Sequence, residues 1–365
     1  MISKIKQALT IKDIRKKLLF TFFMIIVFRL GTTIPVPGIN TSVIKNMVEK
    51  NSLLGLYNMF SGGAFSNFTI FALGIGPYIT ASIIIQLLTA GFESLKELQK
   101  SGEEGKKKIN KYTRMTTLGL AIIQAVGITL GIVRSALKVN NPFFIFTVII
   151  TLVAASMMVM WLGDRITEKG LGNGSSVLIF IGIISRLPID IGAIAQRVNI
   201  GLLKWPAITI FIVVVLITIT GVTFINESTR KIPVQYAKRV VGRKMYGGES
   251  SHIPMKVNQS GVMPIIFASS ILALPQTIAL LGGSKMQAAV NAFFNLSTDK
   301  GFWTYRIIEI VLIVLFSYFY NTISFNTEDI TKNMKNSGGF IPGIRPGKPT
   351  ENYLGGILSK LDRKS

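Results

Sequence analysis

The residues that ordinarily do chemistry are almost missing from this chain. Cysteine is absent and His252 is the single histidine among 365 residues, so disulfides, thiolate metal sites and histidine-based catalysis drop out. No apolar stretch holds paired carboxylates, a metal-ligand cluster or a nucleophile beside a base, so the chain reads as neither an enzyme nor a holder of a metal or cofactor. No phosphate-binding loop occurs either, and energy from a nucleotide would have to come from a partner. What remains is of two kinds. Arg29, Gln86, Asn258 and Glu309 are polar side chains set in apolar surroundings, where each needs a partner or water. Arg29 and Glu309 fall near the ends of their stretches and can reach an interface. Arg243, Lys244 and Arg345 stand at the tips of basic loops, and a guanidinium there can grip carboxylate or phosphate through two parallel bonds. His252, beside Pro254, reads as structural.

The elements that must carry these residues follow from charge spacing. Uncharged runs rich in apolar residues occupy 66–92, 115–133, 139–163, 170–185, 205–226, 257–284 and 310–327, and a shorter one at 18–28 continues past Arg29 to Ile34. About 20 helical residues at roughly 1.5 Å of rise cross the ~30 Å hydrocarbon layer, where only a helix satisfies its own backbone. Eight membrane spans are predicted. A composition of 49% hydrophobic and 16% charged residues fits an all-α multi-pass membrane protein. The N-terminus and the loops after even-numbered spans carry 29 of the 40 Lys and Arg, against 10 in the other loops. Basic residues resist translocation, so the richer side is cytoplasmic and holds both termini. Anionic lipid headgroups balance that face, and the net charge of +23 does not require nucleic acid. Residues 1–34 superficially resemble a signal peptide, but Thr33-Ile34-Pro35-Val36-Pro37-Gly38 follows instead of a small-residue cleavage site. The first span is therefore expected to be retained.

Between the first two spans, Leu56-Tyr57-Asn58-Met59-Phe60-Ser61-Gly62-Gly63-Ala64-Phe65 is too apolar for water and too short and glycine-interrupted to cross a bilayer. It reads either as a short helix folded back into a cavity or as an ordinary external loop. On the cytoplasmic side lie a charged hairpin at 93–114, a basic loop at 226–258 and a further segment, 326–365, containing Gly343-Ile344-Arg345-Pro346-Gly347. Topology and lipid contact explain any one of them. Three long basic loops on one face favour a docked cytosolic partner.

Several local sequences resemble the SecY/Sec61 family of protein-conducting channels, in its bacterial form. They are Gly62-Gly63-Ala64 running into Ile70-Phe71-Ala72-Leu73-Gly74-Ile75-Gly76-Pro77-Tyr78-Ile79-Thr80, then Gly102-Glu103-Glu104-Gly105-Lys106, and Ile166-Thr167-Glu168-Lys169-Gly170-Leu171-Gly172-Asn173-Gly174. Tyr236-Ala237-Lys238-Arg239, Ser251-His252-Ile253-Pro254 and Ser337-Gly338-Gly339-Phe340-Ile341-Pro342-Gly343-Ile344-Arg345-Pro346-Gly347 complete the series, in order along the chain.

The resemblance implies a fold of ten spans in two inverted halves around an hourglass pore. Eight are expected here: an N-terminal half over 1–190 with five spans and an incomplete C-terminal half over 191–365 with three. It implies a pore ring at Ile75, Ile79, Ser175, Ile179 and Ile266. Ile75/Ile79 and Ser175/Ile179 are i,i+4 pairs that share a helix face, although a membrane isoleucine is more often packing surface. Ser175 departs from the family's aliphatic residue, and the ring's sixth member belongs to a span not found. The segment at about 55–68, with Phe60, Ser61, Gly62, Gly63 and Ala64, corresponds to the plug. Gln86 and Asn258 correspond to the lateral gate, the alternative being satisfied interhelical hydrogen bonds. Arg243, Lys244 and Arg345 correspond to docking points for the SecA motor ATPase or the translating ribosome. The implied function is the central subunit of a Sec translocon in the bacterial cytoplasmic membrane, working with SecE and SecG on signal peptides and nascent chains. Two alternatives stand beside it: a truncated chain that inserts and binds Sec partners without translocating, and a secondary solute transporter. The transporter predicts ionisable residues at the membrane midplane, where this sequence is apolar.

Overall fold

The computed structural model describes residues 10–50, 58, 61–137, 141–236, 239–241, 244–246, 250–258, 260–281, 286, 290, 299–324, 327–336 and 338–362. They form two compact units, Met1–Gln196 with Phe267–Ile310, and Arg197–Ile266 with Val311–Ser365.

In the first unit the helices are α1 (Lys12–Thr33), α2 (Thr41–Lys50), α3 (Gly76–Gly91), α4 (Glu93–Lys100), α5 (Glu103–Gly131), α6 (Pro142–Lys169), α7 (Gly174–Ile184) and α8 (Leu187–Asn199). Their ends are written locally. Pro77 and Pro142 sit in first turns, where a missing N–H costs nothing, and Asn141 and Asn173 cap α6 and α7 by accepting N–H groups of Phe143 and Ser176. Glycines set the closest approaches. A Cβ on Gly174 would run into the Gly163 carbonyl oxygen, and one on Gly170 would lie 2.5 Å from the Thr21 hydroxyl oxygen. That closeness lets Thr167 Oγ1 accept the Gly174 N–H (2.8 Å) and Thr21 Oγ1 accept the Leu171 N–H (3.1 Å), tying α1, α6 and α7 at one turn. Gly105 packs in the same manner on the Leu98 carbonyl, which folds α4 back on α5. Arg114 of α5 reaches Asp164 of α6 at 2.7 Å.

The second unit holds α9 (Trp205–Glu227), strands β1 (Thr229–Tyr236), β2 (Arg239–Val241), β3 (Lys244–Tyr246) and β4 (Ser250–Lys256), then α12 (Thr327–Asn336), β5 (Gly339–Phe340) and α13 (Lys348–Asp362). Helix α8, whose last residues from Arg197 fall in the second unit, and helices α10 (Met263–Leu281) and α11 (Asp299–Ser324) contribute residues to both units. The segment read from sequence only as a basic loop is thus a small sheet of order β4-β1-β5, antiparallel throughout, from Thr229↔Lys256 to Gln235↔Ser250. Alternation along β1 places Ile232 and Val234 on one face. There they pack with Met255, Met334, Ile341, Leu354 and Ile357 into a core separate from the membrane helices.

Two expectations stand differently among the described residues. By length and composition, five helical stretches among the described residues suffice to cross a membrane, or six if the bent pair α3 and α4 is one span. The described residues do not confirm the predicted eight. Helix α1 bears Lys16, Lys17 and Arg29 along its length, and the apolar described part of α10 is short, Met263–Leu272. The second concerns the run at 66–92. Helix begins only at Gly76, because Gly74 and Phe68 adopt positive φ and the chain from 61 to 75 is a succession of turns.

Candidate functional site: a buried turn segment among membrane helices

Of the segment before α3, the described residues are Asn58, which is helical, and 61–75, a succession of turns, and local hydrogen bonds tie the two together. The Ser61 hydroxyl donates to the Asn58 carbonyl (3.1 Å) and accepts the Phe65 N–H (3.2 Å). Asn58 also accepts the Gly63 N–H at its carbonyl (2.9 Å) and the Ser66 N–H at its side chain (2.9 Å). Thr69 donates its N–H and its hydroxyl to the Ala64 carbonyl. Irregular backbone at apolar depth survives only when such bonds are made inside protein. Ser61 and Ala64 are buried and Gly62 and Gly63 half-buried, while Phe60 lies outside the described residues.

The downstream end of the segment is anchored. Phe65 and Phe68 meet edge to face at 6.5 Å and are fully buried in a cluster with Val36, Ile39, Ile44 and Val48. The Phe68 carbonyl accepts the Val36 N–H (3.0 Å), and the Ile34 carbonyl accepts the Ile70 N–H (3.0 Å). Phe68 holds φ +42, a conformation that costs about 1–3 kcal/mol in a residue with a side chain and persists here under packing. Ile44 and Val48, one turn apart on α2, supply the outer side of that packing.

Of the expected pore-ring residues, Ile75 is buried at the entrance to α3, Ile79 is half-buried one turn on, and Ile179 is buried on α7. Ser175 is half-buried, and its hydroxyl faces Gly163 of α6. Ile266 belongs to the second unit, half-buried on the first turn of α10.

Both residues expected at the gate have partners. Gln86 is exposed, and its amide donates to Ser82 one turn back on the same helix (3.2 Å). Asn258 is more fully engaged. Its Nδ2 donates to Asn226 Oδ1 (2.9 Å), and its Oδ1 accepts the Gly261 N–H (2.9 Å) and the Ser260 hydroxyl (3.3 Å). Ser260 in turn lies 3.4 Å from the Ser317 hydroxyl. Asn226, near the C-terminal end of α9, is a partner that the sequence analysis missed; an amide closing an uncharged apolar run was its only signal. Among the basic tips, Arg243 lies outside the described residues, Lys244 pairs with Val241 in the β2–β3 hairpin, and Arg345 is exposed. The Arg345 carbonyl accepts the Thr350 hydroxyl (2.8 Å), which fixes its turn against α13. Among the described residues no cluster could hold a metal ion.

Comparison with known proteins agrees with this arrangement. The SecY family model matches residues 69–363. "Protein translocase subunit SecY" of Synechocystis sp. is 43% identical over 354 residues, covering 95% of this chain and 80% of its own. The protein of the same name from Rickettsia typhi is 44% identical over 359 residues, 96% and 82% of the two chains. Among solved structures, "The structure of a protein conducting channel" superposes with a TM-score of 0.71 at 18% identity, over 96% of this chain and 83% of that one. Sec61 in the canine ribosome-channel complex gives 0.66 at 17% identity, over 96% and 83%. A family match over most of the chain, together with relatives this close across nearly its whole length, establishes that the chain belongs to the SecY family of protein translocase subunits.

Proposed function

We propose that this chain is the central channel subunit of a bacterial Sec translocon, passing unfolded polypeptides across the cytoplasmic membrane and releasing apolar segments sideways into lipid. Beside family membership, the observation that supports this reading is the buried turn segment 61–75. It is irregular chain at apolar depth with its own bonds satisfied, as a removable closure requires. In this reading Ser61, Gly62, Gly63 and Ala64, with Phe60, act as the plug. Ile75, Ile79, Ser175, Ile179 and Ile266 line the narrow part, where branched apolar groups disfavour a water wire. Gln86 and Asn258 border the exit toward lipid. SecE and SecG complete the membrane complex, and both termini are cytoplasmic.

Arg243, Lys244 and Arg345 would face SecA or the ribosome, the latter through RNA phosphates. The canine Sec61 relative, seen in a ribosome-channel complex, supports the second partner. The test is complementation. Cells depleted of their own SecY and supplied with this chain should recover export of a signal-bearing precursor. Insertion of the chain with precursors left in the cytosol would instead mean that it binds Sec partners without translocating.

A further inference from the structure

The turn segment touches α7 at a place made almost wholly of backbone. An ideal Cβ on Gly62 would stand 3.0 Å from Gly182 Cα, 3.1 Å from the Gly182 carbonyl oxygen and 3.3 Å from Ser185 Oγ. The first two neighbours are main-chain atoms of a buried residue and cannot turn aside. The place coincides with the end of α7: the helix stops at Ile184, Ser185 and Arg186 form a turn, and α8 starts at Leu187. Ser185 donates its hydroxyl to the Gly182 carbonyl (2.7 Å), which holds the one side chain at this contact down on the α7 backbone. Gly63, the next residue, differs in one respect. It has a similar left-handed backbone, φ +87 against +67, but nothing within 4 Å of its Cβ position.

We propose that Gly62 is the positioning residue of the closed state, and that its bare backbone seats on Gly182 and Ser185 as a latch while Phe65 and Phe68 hold the other end of the segment. The fold supplies both features. Bonds through Asn58 and Ser61 tie 61–66 together as a run of turns, and the aromatic pair fixes its downstream side. Release at Gly62 alone would therefore free the turn without dismantling the outer apolar cluster. Contact between glycine backbones buries little apolar area, so it holds the segment in register at small cost to release. The inference rests on the channel reading above, but the contact can be tested apart from it.

The chain has no cysteine, so Gly62→Cys with Ser185→Cys gives a single possible disulfide. The sulfur at 185 would occupy the place of Ser185 Oγ, 3.3 Å from Cβ of residue 62, close to the about 3 Å that an S–S bond of about 2.05 Å puts between one Cβ and the partner sulfur. In membrane vesicles holding the complete complex, oxidation at rest should form the bridge, arrest translocation of a model precursor, and be reversed by reductant. Absence of the bridge, with each single cysteine still modifiable, would overturn the seat itself. A bridge that forms and leaves translocation unchanged would keep the contact and remove its gating role, and with it the reading of this segment as the closure.

A second pair of variants covers failure of the double mutant to fold. Gly62→Ala and Gly63→Ala share the backbone strain, but only the first adds a methyl group against main chain. Gly62→Ala should therefore raise the resting ion conductance of the complex about tenfold above Gly63→Ala, as overpacking pushes the turn off its seat. Equal conductance for the two would overturn the latch.

Discussion

At the scale of single residues, the contacts that matter most are those a side chain would destroy. The family-like run Ile166 to Gly174 contains glycines whose purpose is visible only beside α6 and α1: Gly174 lies on the Gly163 carbonyl, and Gly170 on Thr21. Gly174→Ala should force α6 and α7 apart and break the Thr167 bond to the residue 174 N–H. Such overpacking commonly costs about 1–3 kcal/mol, and thermal unfolding of detergent-solubilised protein should show the loss. Asn226 acts by partnership instead. Asn226→Leu leaves Asn258 Nδ2 without its acceptor in a half-buried place, a cost of about 1–3 kcal/mol, whereas Asn226→Asp keeps an acceptor oxygen and should cost less. If the two variants unfold at the same temperature, the amide pair contributes nothing beyond packing.

Elements respond through their shared cores. The segment 61–75 is held by aromatic burial more than by regular hydrogen bonding, so Phe65→Ala should cost about 3–5 kcal/mol by cavity formation. Its effect should also be local. Amide exchange is expected to accelerate across 61–75 and α2, which share its cluster, and to stay unchanged in the β1–β4 sheet, whose core is formed by other residues. Faster exchange everywhere would mean that the cluster supports more than the outer cap. The Arg114–Asp164 pair between α5 and α6 offers a contrast. It is short, 2.7 Å, but its side chains are 57% and 31% exposed, so screening leaves it worth about 1 kcal/mol or less, and Asp164→Asn should barely move the unfolding temperature.

For the whole molecule, the charge split predicts which loops face the cytosol. A cysteine placed at Lys107 should stay unlabelled by an impermeant thiol reagent added outside intact cells and react in inverted vesicles. Labelling from outside would reverse the assigned topology. Docking belongs to this scale too. Arg345 is exposed on a turn pinned by Thr350, a stable presentation for a charge-assisted contact. Arg345→Glu should weaken binding of SecA or ribosomes to membranes by about tenfold or more, with insertion unchanged. Equal flotation of parent and variant would return the residue to a lipid-facing role.

The all-α membrane class was legible in the sequence because it depends on additive quantities. Hydrocarbon thickness sets the length of an uncharged run, backbone desolvation demands helix, and Lys and Arg counts bias orientation, all without any neighbour being known. The family resemblance likewise rested on local strings such as those around Gly74, Gly105 and Gly174. Tertiary structure decided what pairwise geometry controls. It started the second span at Gly76 rather than 66, since Gly74 and Phe68 take left-handed backbone conformations held in place by packing. It folded the basic loop into a sheet because Ile232 and Val234 found Met334 and Leu354 from a distant stretch. It also engaged Asn258 with Asn226, a contact between residues far apart in the chain that no local periodicity encodes.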